Sequence, residues 1–279
     1  MPFTWLRPLR LVAFSLFALG ALVAAPRSQA QGGDEFDHYT LRLEGFWLNA
    51  HPSGSIHGTG TLDTQQIDLQ KDFGLPNYST LYGRLDWKFT HKNHLYLFAI
   101  PFDQSRELAF TRNITFQGQT FTAGFAARTE FRNLLIGIGY QYDFIRRRRG
   151  HLGVAIQANV LNSTARISAQ AQTSAGISQP SLSASKTLFA PVPVLGFQGR
   201  VYPFNTPRFF IEGNVYGMYF FGYGNFVSST GTIGFGLTRR LSINGGYAMG
   251  SRYTIRNTNN RLGVQYTETG PIVGIEFSF

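Results

Sequence analysis

His51 and Ser53 come closest to a chemical pair in this sequence. Two side chains at i, i+2 on a strand share one face. A histidine base would then stand beside a serine nucleophile, the arrangement for ester hydrolysis. Pro52 between them removes a ladder donor, and Gly54 opens a Gly/Ser-rich stretch, so the pair reads as the mouth of a loop and no catalytic residue is assigned. Asp37-His38 would join a carboxylate to an imidazole, but only at the very start of the first strand. His51 and His57, with Asp63, Asp68 and Asp72, lack the ligand spacing of a metal centre, and neither metal nor cofactor is expected. His91 and His94 flank a turn and read as solvent-facing. The run Arg146 to Arg149 reads as a solvated turn, or as a cradle for anionic headgroups.

The elements that must position these residues are strands. Charged residues make up 14% of the 279-residue chain and aromatics 15%, against roughly 25% charged in a typical soluble domain. Mean hydropathy is nonetheless close to neutral. A transmembrane barrel reconciles the two, because each strand alternates an apolar lipid-facing residue with a polar or small inward one. The chain has no cysteine, which a closed barrel does not need. The basic residues are scattered along strands or gathered in short turns, so no nucleic-acid partner is expected.

Residues 1–30 read as a secretory signal peptide. Arg7 and Arg10 form the positive region, Leu11 to Ala25 the apolar one, and Ser28-Gln29-Ala30 a small-x-small cleavage site. The apolar run is shorter than the roughly 20 residues of a spanning helix. Residues 31–36 read as a periplasmic lead-in and 37–279 as one barrel domain.

Period-two segments recur along that domain. They predict strands over 37–49, 79–91, 94–112, 119–145, 151–170, 185–203, 208–222, 226–238, 241–255 and 261–279. Residues 50–77 and 171–184 read as long outer loops, and Gln117-Gly118 as a hairpin tip. Long and short connections alternate, which puts the short turns on the periplasmic side. The expected class is all-β: a transmembrane antiparallel up-and-down β-barrel of about ten strands, with eight or twelve as alternatives. Trp47 and Trp87, with Tyr39, Tyr140, Tyr142, Tyr219 and Tyr247, are the candidate aromatic girdle.

The closing stretch, Pro271 to Phe279, resembles the C-terminal strand of bacterial outer-membrane proteins. Phe279, Phe277, Ile275 and Val273 fit the pattern of a terminal Phe preceded by alternate apolar residues, and Pro271 departs from it. The resemblance implies a bacterial outer-membrane location and recognition by the barrel-assembly machinery through Ile275, Phe277 and Phe279. It extends to small barrels such as the OmpA-like and OmpW-like proteins, which share architecture without sharing an activity. The outer-membrane phospholipase and the lipid A deacylase carry a His-x-Ser pair on a strand, and His51-Pro52-Ser53 is similar to it in spacing alone.

Extending each strand's parity inward places Arg42, Glu44, Arg84, Asp86, Lys88, Asp143, Arg200, Glu212 and Glu276 in the lumen, with Gln141, Gln157, Asn159 and Asn244. Such mixed charges form either a salt-bridged plug or the lining of a narrow polar pore. The expected function is non-enzymatic and porin-like: a structural barrel or one passing a small solute. An outer-membrane lipid hydrolase and a surface ligand-binding barrel are the alternatives. Expected partners are outer-membrane lipids and lipopolysaccharide, the assembly machinery and a small solute.

Overall fold

The computed structural model describes residues 35–58, 66–174, 176–220, 224–249, 252–257 and 262–279. The signal-peptide reading of 1–30 lies outside them. Ten antiparallel strands form the wall: β1 Leu41–Gly58, β2 Tyr78–Lys88, β3 Asn93–Ala109, β4 Ala126–Arg147 and β5 Gly150–Ala169, then β6 Leu182–Val201, β7 Phe209–Phe220, β8 Gly224–Gly236, β9 and β10 Leu262–Ser278. Strand β9 runs in two pieces, Leu241–Ala248 and Arg252–Asn257, both hydrogen-bonded to β8 and β10. Each strand pairs with its sequence neighbour, and β10 pairs back on β1, with Glu44 opposite Glu276 and Trp47 opposite Val273. The barrel is closed.

Alternation decides which face each residue takes. Along β4, burial alternates without a break from Ala126 to Phe144, Ile136, Ile138 and Tyr140 outward against Leu135, Gly137 and Gln141 inward. The outer wall is apolar, with Trp47, Leu81, Ile156, Phe197, Ile233 and Val273 all exposed. Such a surface is stable only in lipid. Near the short-turn end, the exposed rings of Trp87, Phe89 and Tyr140 cluster at centroid distances of 5.6 and 6.5 Å.

Strands β1 and β3 to β6 exceed the roughly 9–11 residues needed to cross the membrane, β4 reaching 22 residues. The extra length projects from the outer side. There the outer wall turns polar, with Arg132 3.4 Å from Asp103 and Arg128 3.1 Å from Glu130.

Several boundaries move. Strand β1 continues through Pro52 to Gly58, where a loop was expected from residue 50. Pro52 is tolerated because residues 51–54 pair only with β10; the β2 side pairs up to Ala50 and resumes at Ser55 against Asp68. Residues 114–121 form their own hairpin, Ile114–Phe116 against Gln119–Phe121, ahead of β4. Its tip needs positive φ at Gln117 and Gly118, 54° and 74°, the geometry of a type I′ turn. A second hairpin, Gln172–Ser174 with Ile177–Gln179, occupies much of the expected 171–184 loop, and β6 begins at Leu182.

Candidate functional site

Many inward residues of the half nearest the short turns are charged or amide-bearing, and the register stacks several of them in pairs. Arg42 faces Asp86 and Glu44 faces Arg84 across β1 and β2, and Arg200 faces Glu212 across β6 and β7. Arg42, Glu44, Asp86, Asp143, Arg200, Glu212 and Glu276 are buried, and Arg84 nearly so. Arg200 bonds Glu212 and reaches across the lumen to Glu276, Nη1 to Oε1 at 3.0 Å. Arg42 Nε lies 3.4 Å from the same Glu276, and Arg84 Nε 3.6 Å from Glu44. Oxygens of Glu44, Glu212 and Glu276 fall within 4.8 Å of one another, but the Arg200 guanidinium stands where a metal ion would.

Beneath this layer His94 is fully buried, Nε2 3.0 Å from Asp143 and Nδ1 3.1 Å from Asp86. The solvent-facing reading of His94 is therefore corrected: Lys88 and His94 are register partners on either side of the turn, so both point inward. Lys88 sits half-buried, its ammonium 4.9 Å above the Tyr39 ring and 3.0 Å from the Asp37 carbonyl. Tyr39, expected in the outer girdle, is likewise inside, because it precedes the first strand residue and its ring turns under Arg42 at 3.7 Å. Arg146 also turns inward. A bulge between Asp143 and Ile145 reverses the parity, and the guanidinium meets Asp143 at 2.7 Å and Glu35 at 2.7 Å. Of the four arginines read as a solvated turn, Arg147 to Arg149 are exposed.

Asp37 seals this end. Its carboxylate meets Arg42, lies 2.9 Å from His151 Nδ1 and accepts from the Tyr202 hydroxyl at 3.3 Å. Burial acts to raise its pKa, but Arg42, His151 and Arg200 outweigh that and hold the carboxyl well below the usual range. The segment around it is docked by Phe36 N–H donating to the Arg148 carbonyl and by the Phe36 ring edge-on to Tyr202.

The outer half is different in kind. Leu48, Phe102, Phe131, Tyr253 and Tyr266 fill it with apolar and aromatic side chains. Residues 66–77 fold over the mouth, burying Ile67, Leu69 and Phe73. They are tied down by Thr129 Oγ1 donating to the Phe73 carbonyl at 2.7 Å and by Arg112 Nε donating to Asp72 at 3.1 Å. Between the charged plug and this apolar roof lies a cavity of ≈ 120 Å³ with aromatic walls, Glu44 and Arg84 in its floor and Glu268 among its lining residues.

No protein-family model and no curated protein sequence matches the chain. Among solved structures it is similar to the outer-membrane protease OmpT of Escherichia coli, with a TM-score of 0.55 and 12% identity over 91% of this chain and 99% of that one. The chain has the closed β-barrel fold of that outer-membrane protein. Weaker likenesses are to Ail, the attachment invasion locus protein of Yersinia pestis (TM-score 0.34, 10% identity, 87% and 100% coverage), and to the toluene transporter TodX of Pseudomonas putida (TM-score 0.35, 8% identity, 90% and 95% coverage). At these identities the likeness is one of fold.

On this barrel His51 and Ser53 do share a face, but it is the outer wall, beyond its apolar belt. His51 Nδ1 lies 3.2 Å from the Thr269 carbonyl oxygen, and Ser53 sits opposite Thr267. Ile275 and Phe277 face lipid, and Phe279 closes the seam, its N–H donating to the Leu41 carbonyl at 2.8 Å.

Proposed function

We infer that this outer-membrane barrel is non-enzymatic and keeps its lumen shut at the periplasmic end, so that a small solute entering from outside reaches the central cavity and passes further only if the plug yields. The observation that carries this reading is the position of Asp37. It is a single buried carboxylate contacted by arginines from two wall strands and by a histidine from a third, on a segment that precedes the barrel proper. The arginines and carboxylates of the periplasmic lumen are paired, and removing one partner of such a set leaves the others uncompensated. The plug therefore favours a closed wall over standing conduction.

Single-channel recording of the refolded protein in a planar bilayer tests it. The unmodified barrel should be silent, and Asp37→Ala should produce discrete steps. Steady conductance by the unmodified barrel would show an open pore instead. The terminal Ile275, Phe277 and Phe279 are proposed as the segment read by the assembly machinery, and the outer wall as the surface that meets lipid and lipopolysaccharide.

A further inference from the structure

Most charges of the lumen are paired with an opposite charge among the described residues, and Glu268 is the carboxylate that is not. Glu44 is met by Arg84 and Arg200, Glu212 by Arg200, and Glu276 by Arg200 and Arg42. Glu268, at 4% exposure the roof carboxylate of the cavity, has no Arg, Lys or His paired with it among the described residues. Its partners there are two tyrosine hydroxyls, Tyr266, which donates to Oε2 at 3.1 Å, and Tyr78, whose hydroxyl lies 3.1 Å from that of Tyr266.

A second group in the same cavity lacks a donor. Asn159, buried to 2% exposure, gives its amide to Gln157 at 3.5 Å while its Oδ1 has no hydrogen-bond partner. Both groups accept hydrogen bonds, Glu268 lacking a cation and Asn159 Oδ1 lacking a donor. Between them stand Phe46, Tyr82, Phe102 and Phe226, the Phe46 and Tyr82 rings stacked at 4.8 Å. A buried acceptor without a donor and a buried carboxylate without a cation are both costly, and a cationic guest that supplies only donors offsets both.

The geometry points to a binding site for a small protonated organic amine, held by Glu268 as counter-ion, by Asn159 Oδ1 as acceptor and by the aromatic walls. An ammonium carries donors and no acceptor, and aromatic faces attract cations when water is excluded. The ≈ 120 Å³ of space is close to the roughly 150 Å³ of a cavity that takes benzene, so the guest is about one ring in size. Water filling the cavity is the competing occupant. The inference rests on the closed-barrel reading only for the existence of an enclosed site. An open pore would reveal itself as conductance, whereas failure of this inference leaves the bilayer silent.

The test is titration calorimetry of the refolded barrel in detergent with benzylamine and its neutral isostere, benzyl alcohol. Benzylamine should bind at least tenfold more tightly. Glu268→Gln should abolish that preference, and Glu107→Gln, on the exposed outer wall, should preserve it. Should Glu268→Gln fail to fold, Asn159→Leu serves in its place and should weaken benzylamine severalfold while sparing the alcohol. Equal affinities, or a preference that survives both cavity substitutions, would overturn the site. So would the absence of binding in both the unmodified barrel and the Arg112→Ala/Thr129→Val variant with its mouth segment loosened, which would leave water as the occupant.

Discussion

Arg200 Nη1 lies 3.0 Å from Glu276 Oε1, joining β6 to β10 across the lumen rather than along the wall. Because Arg200 also holds Glu212, its removal leaves Glu212 without a cation and Glu276 with Arg42 alone. Arg200→Met should therefore destabilise the barrel by about 3–5 kcal/mol. Adding Glu212→Gln and Glu276→Gln should recover most of that loss, since the stranded charges go with the arginine. Urea unfolding in lipid vesicles reads both, and a triple variant no better than Arg200→Met would refute the pairing.

Asp37 gives the plug an acid dependence of definite sign. Its carboxyl titrates well below the usual range in the folded barrel, whereas an unfolded Asp titrates near 3.9. A depressed folded value contributes stability that is complete above the unfolded value and is lost as pH falls towards the folded one. Between neutral pH and about 5 this contribution should be flat. Below about 4 it should fall, and Asp37→Asn should flatten that part of the profile. Unfolding midpoints against pH for the two proteins check it.

How far the sequence could be read depends on where alternation holds. In β2, β4 and β10 the period of two is unbroken through the membrane, so the inward placement of Arg84, Asp86, Asp143 and Glu276 can be read from parity alone. Parity fails at Arg146 because a bulge inserts one residue, and no residue type in Phe144-Ile145 announces it. It fails at Tyr39 and Asp37 because they precede the ladder, where side-chain direction is set by docking. Glu268 was legible in principle, lying eight residues before Glu276 and so on the same face. In the outer half, inward and outward residues are both mixed in polarity. The burial of residues 66–77 over the mouth depends on contacts with Thr129 and Arg112 that local pattern does not encode.

Gly139 faces inward where the Tyr96 ring crosses the lumen wall. A Cβ at this position would run into the ring and hydroxyl of Tyr96, which is itself buried and lies under the Arg84 guanidinium at 4.5 Å. With a cation above it the ring cannot simply swing away. Gly139→Ala should cost about 1–3 kcal/mol, and Gly139→Ala with Tyr96→Leu should cost less than the sum of the two. Additive losses in urea unfolding would show that the two positions do not touch.

The mouth segment should open without the barrel melting. Residues 66–77 are fixed by apolar burial of Leu69 and Phe73, by bonds to β1 such as Leu69 N–H to the Gly54 carbonyl at 3.0 Å, and by two ties beyond β1, Thr129 to the Phe73 carbonyl and Arg112 to Asp72. Arg112 is partly exposed, so its ion pair contributes no more than about 1 kcal/mol. The Thr129 bond is buried, and its loss leaves a carbonyl short of a donor, at a cost of about 1–3 kcal/mol. Thr129→Val should therefore speed amide hydrogen exchange in 66–77 more than Arg112→Ala does. Neither should change exchange in β7 or β8, which these ties do not touch. Faster exchange in the wall strands as well would mean that the segment is part of the barrel's cooperative unit, and the outer mouth would then have no independent way to open.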